Sequence, residues 1–390
     1  MTTTMPNRDR LAQLLRDAGA RVDPDGAAAL IAGVLAAPPA IGASWHRLVA
    51  DPCPPELAGA LDAVRGWLAE DYRDGLAPED FARLPRAARL DLLREELARR
   101  RLDGFIVPRA DEHQGEYVPA CGQRLAWLTG FTGSAGMAIV LTKRAALFVD
   151  GRYTLQAAAQ ADTALFEIRH LVDEPPASWL GGALGRGMVI GYDPWLHTPQ
   201  EVERLKAGAA RAGADLIAVD HNPVDQVWPG RPPPPLAPVV PHPERFAGES
   251  AAAKRARLGR ALAEEGVAAA VLTMPESIAW LLNIRGGDVP HTPLPLSFAI
   301  LNDDGSVRLF IDRRKLAPGL DRHLGNQVAI EEPALLGPAL DELAKSGRRV
   351  QVDPATAAAW IFDRLIASGG QIHRAPDPCL LPKACKNPTE

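Results

Sequence analysis

The chain has 390 residues, of which 47% are hydrophobic and 23% charged, and this composition predicts a soluble globular protein of two or three domains. A formal net charge of -5 gives no reason to expect nucleic acid or a membrane as a partner. The longest apolar runs fall far short of the roughly 18 residues of a membrane span, and residues 1–10 lack the pattern of a secretory signal. The four cysteines form no Cys-x-x-Cys pair, which predicts reduced thiols in a cytoplasmic protein.

An Ala-rich segment occupies residues 1–84. Apolar residues recur there at helical spacing in Arg8–Ala18, Ala27–Ala37 and Leu57–Tyr72. We expect a small helical N-terminal extension, and we find no residue pattern in it that indicates chemistry.

A first α/β domain is predicted for residues 85–221. A strand at Phe105–Val107 is followed by two apolar runs around Thr142–Arg144, which predict a β-hairpin. Another strand is expected at Met188–Tyr192, and Thr198-Pro199-Gln200-Glu201 begins a helix, because Thr caps it and Pro fits its first turn. The helix before the first strand carries an apolar face made of Leu90, Leu93 and Leu97.

The remaining chain divides into three predicted parts. Residues 222–243 are rich in proline, which stiffens the backbone and does not fit a sheet interior, so we expect a semi-rigid linker. Residues 244–380 predict a second α/β domain. Within 381–390, Asn387-Pro388-Thr389-Glu390 has the residue types that begin a helix. We therefore expect a further domain to begin there, and the chain to stop at its start.

The second α/β domain repeats the first in order and spacing. The fold class is therefore predicted as α/β, with two tandem copies of one domain after a small helical segment. Ala88-Arg89-Leu90 and Ala256-Arg257-Leu258 each begin a helix that leads to a proline. The other matches pair Trp127 with Trp280, Asp150 with Asp312, and Asp193 with Asp353.

A glycine-rich stretch, Gly130–Gly136, suggests a phosphate-binding loop at first sight. That mechanism requires a helix directly after the glycines, but Met137–Leu141 predicts a strand. A serine nucleophile at Ser134 also fails, because Thr132 stands where the nucleophile elbow needs glycine. The stretch is interpreted as a turn.

Acidic residues and a histidine cluster in the loop Asp111–Glu116. Metal binding is one interpretation of Asp111, Glu112, His113 and Glu116. Adjacent side chains on an extended loop point in opposite directions, so they rarely converge on one ion. The alternative is a polar loop beside an interface or cleft, with His113 as a candidate cleft residue.

Asp150 and Arg152 end a predicted strand, where α/β proteins often place functional groups. Arg152 could grip a carboxylate with two hydrogen bonds. The alternative is a structural Asp–Arg pair, since the second domain has Asp312-Arg313-Arg314 at the matching place.

A second polar loop, Ile284–Pro293, combines flexible glycines with Arg285, Asp288 and His291. These three residues are candidates for ligand contact at a cleft. The alternative is an ordinary solvated loop.

Five motifs in this order resemble the two N-terminal domains of the aminopeptidase P family, Xaa-Pro aminopeptidases of the creatinase/pita-bread group. The resemblance covers about residues 85–390 and leaves residues 1–84 outside it. It rests on Asp111–Tyr117, Gly130–Gly136, Asp150–Ala158, Asn222–Trp228 and Asn283–Val289.

The resemblance implies creatinase-N-terminal-like domains and a peptidase that releases the first residue from short peptides with proline second. It also implies two Mn ions, held in a third, catalytic domain, so no metal ligand or catalytic residue is carried over to this chain and no cofactor is expected in it. What remains is the noncatalytic part, which shapes the cleft mouth and contributes to a homodimer.

Two alternatives to this reading stay open. One is a stand-alone binding or assembly module that reuses the fold. The other is part of a creatinase-like hydrolase, since fold alone does not determine function.

Overall fold

The N-terminal segment contains one helix that the structure describes in full. The structure, a computed structural model, describes residues 8–20, 24, 27, 54–58, 60–61 and 85–390. Helix α1 (Arg8–Asp17) buries Leu11 and Leu15, which confirms the first helix expected in the segment. The helices expected at Ala27–Ala37 and Leu57–Tyr72 lie outside the described residues except for a few positions. In the described part of the chain, no helix has both the length and the apolar character needed to cross a bilayer.

Two six-stranded sheets organise residues 85–390. The strands of the first sheet are β1 (Gly104–Pro108), β2 (Gly136–Leu141), β3 (Ala145–Val149), β4 (Glu167–His170), β5 (Val189–Tyr192) and β6 (Asp215–Ala218). A two-stranded ribbon consists of β7 (Val240–Pro241) and β9 (Ile284–Arg285). The strands of the second sheet are β8 (Val267–Leu272), β10 (Phe298–Asn302), β11 (Val307–Phe310), β12 (Val328–Glu331), β13 (Arg349–Val352) and β14 (Gln371–Arg374).

Helices connect these strands. In the first part they are α2 (Arg86–Arg99), α3 (Arg124–Thr129), α4 (Thr154–Gln160), α5 (Pro176–Ala183), α6 (Pro199–Arg211) and α7 (Pro223–Val227). In the second part they are α8 (Glu244–Ala247), α9 (Ala251–Glu264), α10 (Pro275–Leu282), α11 (Leu320–Leu324), α12 (Leu336–Lys345), α13 (Ala359–Ala367) and α14 (Leu380–Ala384). The expected cap of α6 is present, because Thr198 accepts a hydrogen bond from the backbone N–H of Glu201 at 3.4 Å.

Both sheets have the same topology, which confirms the predicted fold class. The orders are β4-β3-β2-β1-β5-β6 and β12-β11-β10-β8-β13-β14. The third strand of each order, β2 or β10, is antiparallel to both neighbours, and all other pairs are parallel. Phe105 and Val107 join one buried cluster and Ile106 the other. The strands are continuously apolar because both faces of the sheet are covered.

The residues matched between the two domains occupy equivalent places. Trp127 and Trp280 lie on α3 and α10, the helices that precede the antiparallel strands. The other two pairs follow equivalent strands. Asp150 comes directly after β3 and Asp312 two residues after the end of β11, while Asp193 and Asp353 come directly after β5 and β13.

One match has the wrong register. Helices α2 and α9 begin at Arg86 and Ala251, ahead of the Ala-Arg-Leu triplets we matched. Strand pairing determines the correct register, since Ile106 pairs with Tyr192 and Val271 with Val352. The equivalent buried leucines are therefore Leu93 with Leu258 and Leu97 with Leu262. The repeated triplet arose from composition, because Ala, Arg and Leu are common on amphipathic helices.

The proline-rich range 222–243, expected to be a linker, contributes to both cores. In the first core, α7 is followed by Trp228, which stacks on Trp127 at 5.4 Å between ring centroids. Val239 belongs to the second core, and Leu236 and Ala237 are also buried. Proline limits sheet pairing but does not prevent packing, so this range is more than a connector.

The repeat extends to a capping residue that we did not predict. Asn222 donates to Asp193 at 2.9 Å and accepts from the N–H of Val224 at 3.0 Å. In the second domain, the N–H of Asp377 donates to Asp353 at 2.9 Å, and its side chain accepts from the N–H of Cys379 at 2.7 Å. Each residue ties a strand end to the start of the following helix.

The helix-start chemistry expected at Asn387 is present. The side chain of Asn387 accepts from the N–H groups of Thr389 and Glu390 at 2.9 and 3.1 Å. The Glu390 carboxylate accepts from the N–H of Asn387 at 3.2 Å. These reciprocal bonds form a capping box.

The chain divides into two compact units. The first unit contains Pro78–Pro234 and Pro354–Phe362, and the second contains Pro235–Asp353, Asp363–Glu390 and the N-terminal residues. The domain boundaries inferred from sequence, 85–221 and 244–380, stay predictions.

Candidate functional site at the carboxyl edge of the first sheet

Polar side chains gather at one edge of the first sheet. Strands β1 and β3 are each antiparallel to β2 and therefore run in the same direction. Their carboxyl ends lie at the same edge of the sheet. Open α/β sheets bind ligands at this edge. We call the polar residues here the edge cluster: Arg109, Asp111, Glu116, Ser134, Asp150, Arg152 and Tyr153.

The structure brings together the predicted residues Asp150 and Arg152. Arg152 donates to the Asp150 carboxylate from its backbone N–H at 2.9 Å and from Nη2 at 2.7 Å. The hydrogen bonds from Arg152 lower the pKa of Asp150. Arg314 makes the same bonds to Asp312 at 2.9 and 2.6 Å. The pair is therefore part of the domain architecture in both copies, and a role in a cleft stays a prediction for the first.

Tyr153 links the Asp150–Arg152 pair to the glycine-rich turn. Its hydroxyl is hydrogen-bonded to that of Ser134 at 2.8 Å, and this bond lowers the pKa of Tyr153. The Arg152 guanidinium lies 5.1 Å from the centre of the tyrosine ring. Phe131 packs edge-on against the same ring with centroids 5.6 Å apart. The hydroxyl of Tyr153 thus connects Ser134 in the glycine-rich turn to the carboxyl edge of the sheet.

The acidic loop after β1 folds back on itself. One Asp111 oxygen accepts from the N–H groups of His113 and Gly115 at 3.0 and 3.4 Å. Asp111 is 1% exposed, and burial raises its pKa. His113 is also buried, at 5% exposure. Within the described ranges, no group of three or more His, Cys, Asp or Glu residues is arranged to hold a metal ion. The position of His113 beside a cleft stays a prediction.

Sequence reasoning missed Arg109, which directly follows β1. Its Nε and Nη1 atoms are buried and have no hydrogen-bond partner in the described part of the chain. Burial lowers the pKa of Arg109, and the nearby charges of Asp111, Tyr153 and Glu116 offset part of that effect. The second oxygen of Asp111 is buried without a partner among the described residues as well. The sequence feature that could have identified Arg109 is its position, as a basic residue directly after a central apolar strand.

Arg285, in the second unit, lies at the C-terminal end of α10. Its guanidinium donates to the carbonyl oxygens of Ile284 and Ala279 at 2.8 and 3.4 Å, and burial lowers its pKa. Lys254 donates to the carbonyl of Trp280 at 3.0 Å. Basic side chains suit this end of a helix, because its last carbonyls lack helical partners and carry partial negative charge. The described contacts of Arg285 are therefore helix-capping contacts.

Asp288 and His291 have different surroundings. Asp288 is 4% exposed and pairs with Lys315 at 2.5 Å. Burial raises the pKa of Asp288, and the charge of Lys315 opposes that rise. His291 is exposed and has a left-handed backbone with φ of 61°. Among the residues described, no hydrogen bond joins Arg285, Asp288 and His291 to one another. Ligand contact by these three residues stays a prediction.

Comparison with known families supports the domain repeat. A family described as the Creatinase/Prolidase N-terminal domain matches residues 89–227, and a second model with the same description matches residues 230–390.

Known proteins match most of this chain. It is 34% identical over 318 residues to a probable Xaa-Pro aminopeptidase P from Paracoccidioides brasiliensis (strain Pb18), covering 77% of this chain and 51% of that protein. It is 35% identical over 311 residues to a probable Xaa-Pro aminopeptidase P from Aspergillus niger, covering 77% and 50%. The chain spans about half the length of the curated relatives it matches.

A solved structure agrees with these relatives. The X-prolyl aminopeptidase from Caenorhabditis elegans, described as a cytosolic enzyme with a di-nuclear active site, matches with a TM-score of 0.72 and 27% identity. The match covers 78% of this chain and 52% of that chain. The paired sheets and these relatives together place the chain in the aminopeptidase P family, of which it contains the two N-terminal creatinase/prolidase-type domains.

Proposed function

We propose that this chain forms the noncatalytic N-terminal part of a metal-dependent Xaa-Pro aminopeptidase. The complete enzyme would release the first residue from short peptides that have proline second. The observation that carries the proposal is the match to Xaa-Pro aminopeptidase P proteins across both domains, at 34% identity over 318 residues. The chain has two tandem domains of the same topology, and this also supports the assignment.

The catalytic metal ions belong, in this proposal, to a domain outside residues 1–390. The C. elegans relative is described as having a di-nuclear active site. The donor set needed for such a site is not assembled by the residues that the structure describes. We therefore assign two Mn ions to the catalytic domain, where metal-assisted hydrolysis would take place. No step of the reaction is assigned to a residue of this chain.

The two domains would contribute the mouth of the substrate cleft and a homodimer contact. Arg152 of the edge cluster is available to a partner domain or substrate, since its side chain is 63% exposed. We propose that the edge cluster and the loop from Arg285 to His291 face the catalytic domain. We also propose that the enzyme is cytoplasmic, as the C. elegans relative is described to be.

A chimera tests this proposal. Residues 85–390 would replace the corresponding domains of the C. elegans enzyme, and hydrolysis of an Xaa-Pro peptide would be measured with Mn²⁺. The proposal predicts an active chimera, whereas the C. elegans catalytic domain alone should be much less active. A folded, Mn-loaded chimera that does not hydrolyse the peptide would contradict it and favour a stand-alone binding module.

The repeat supplies a matched control for the role of Arg152. In the chimera, Arg152→Ala should lower turnover of the Xaa-Pro peptide, while Arg314→Ala removes the equivalent guanidinium of the second domain and should leave turnover unchanged. Equal melting temperatures of the two variants would separate function from stability. Equal turnover of both variants would instead assign Arg152 to the architecture alone.

A further inference from the structure

The two domains carry different residue types at one equivalent buried place. Asn222 and Asp377 each connect the end of a strand, at Asp193 or Asp353, to the start of a helix. All four side chains are buried, at 6% or 7% exposure. The first domain therefore has one carboxylate and one amide here, whereas the second domain has two carboxyl groups.

One oxygen of Asp377 corresponds to a hydrogen-bond donor in the first domain. In Asn222, Oδ1 accepts from the N–H of Val224 at 3.0 Å, and Nδ2 donates to Asp193 at 2.9 Å. In Asp377, Oδ1 accepts from the N–H of Cys379 at 2.7 Å, so Oδ2 corresponds to Nδ2. This Oδ2 is buried and has no hydrogen-bond partner among the residues that the structure describes. A buried polar atom without a partner is unfavourable, and a proton on Oδ2 makes it a donor like the amide.

The charges around the two places also differ. Three residues before the matched tryptophans stand Arg124 in the first domain and Ser277 in the second. Burial raises the pKa of Asp193, and the Asn222 amide and the charge of Arg124 are among the groups that oppose the rise. In the second domain, the group that acts on Asp377 from this helix is the buried, neutral hydroxyl of Ser277. A hydroxyl thus takes the place of a guanidinium.

The surroundings of Asp377 favour its protonated form. Burial raises the pKa of Asp377, the charge of Asp353 adds to the rise, and the hydrogen bond from the N–H of Cys379 opposes it. The basic side chains of Arg257 and Lys383 act on the neighbouring Cys379 thiol. Two carboxylates that share a buried place repel one another, so one of the two is expected to hold a proton.

We propose that Asp377 is a proton-dependent latch in the second domain. With its proton, Oδ2 donates to the Asp353 carboxylate, as the Asn222 amide donates to Asp193. It thereby holds the segment between β14 and α14 against the end of β13. Loss of the proton to water leaves two negative charges side by side, which loosens the start of α14. The latch goes beyond the proposed function, since it needs no catalytic domain.

Rising pH should therefore loosen this segment. The folded segment holds the proton of Asp377 more tightly than the unfolded chain does, because burial raises the pKa of Asp377. The stabilisation is complete below the ordinary aspartate range, at about pH 4, and is lost as the pH rises through the raised pKa. A single proton changes the protection of the segment by at most about tenfold per pH unit.

Hydrogen exchange of peptides covering residues 375–384 tests the latch in the 390-residue protein. Each rate is divided by that of the unfolded peptide at the same pH, from about pH 4 to about pH 9. Protection in the wild-type protein should fall by about tenfold or more as the pH rises. Asp377→Asn supplies the amide that the first domain has at Asn222, so its protection should stay high and independent of pH. Asp304→Asn changes an exposed aspartate of the same domain and should behave like the wild-type protein.

A second variant serves if circular dichroism shows that Asp377→Asn is not folded. Asp353→Asn removes the other charge and supplies an amide that can donate to an ionised Asp377, so it should also flatten the pH dependence. Protection that does not change with pH in the wild-type protein would overturn the proposal. An unchanged pH dependence in the folded Asp377 and Asp353 variants, or its loss in Asp304→Asn, would overturn it as well.

Discussion

Replacing Asp288 with alanine should strongly destabilise the second unit. The change removes the carboxylate that pairs with Lys315 at 2.5 Å, and both side chains are almost inaccessible, at 0% and 5% exposure. It also removes the acceptor for the N–H of Leu296 at 2.6 Å. Loss of one partner from a buried ion pair costs about 3–5 kcal/mol, because the remaining charge stays buried. Lys315→Met should have an effect of similar size.

The two residues should be energetically coupled. In a variant with both Asp288→Leu and Lys315→Met, no charge remains buried, so the loss should be smaller than the sum of the single losses by about 2 kcal/mol. Hydrogen exchange of peptides from β10 and β11, followed by mass spectrometry, measures this locally. A local probe is needed because a protein of two units need not unfold in a single transition.

The first unit supplies the control for this experiment. Ser134→Ala breaks the hydroxyl pair with Tyr153 at the equivalent place of the first domain, and it should leave exchange in β10 and β11 unchanged. A buried, coupled ion pair is refuted if Asp288→Ala lowers the local free energy of opening by less than about 1 kcal/mol, or if the two single effects simply add.

Three other predictions concern stability. Hydrogen bonds, of which the one from Arg144 has the largest effect, lower the pKa of Glu167 from 4.5 to about 2. The ionised Glu167 therefore stabilises the fold above pH 4.5, and this stabilisation is lost as the pH falls toward 2. Glu167→Gln should make the free energy of unfolding depend less on pH over that range. Lys254→Met should lower protection of α10 by about 1–3 kcal/mol, because it leaves the Trp280 carbonyl and the Asn283 side chain without their buried donor. Ser250→Ala should destabilise α9 by about 1 kcal/mol, measured by urea unfolding, since Ser250 caps that helix at 3.2 Å.

Local patterns were sufficient to predict the hairpin of the first sheet. The strands β2 and β3 could be recognised because apolar runs flank the polar turn at Thr142–Arg144, and short-range turn chemistry is visible in sequence. The cap at Thr198 and the helix start at Asn387 depend on neighbours within three residues. The repeat was visible for the same reason, although its register in the first helix needed strand pairing to correct it.

Long-range partners were not visible. Asp288 looked like a ligand-contact residue in a polar loop, but its partner Lys315 is 27 residues away. Arg109 was overlooked because its notable feature is two buried nitrogens without a hydrogen-bond partner in the described structure, and no sequence pattern indicates that. The packing of residues 222–243 was also missed, since a proline-rich composition indicates stiffness but not burial.

We propose that these domains belong to an Xaa-Pro aminopeptidase whose catalytic centre lies in another domain. The most direct test is to purify the 390-residue protein, add Mn²⁺, and measure both hydrolysis of an Xaa-Pro peptide and the amount of bound metal. We expect a folded protein with neither turnover nor tightly bound Mn. Steady turnover that a chelator abolishes, together with near-stoichiometric Mn, would contradict it.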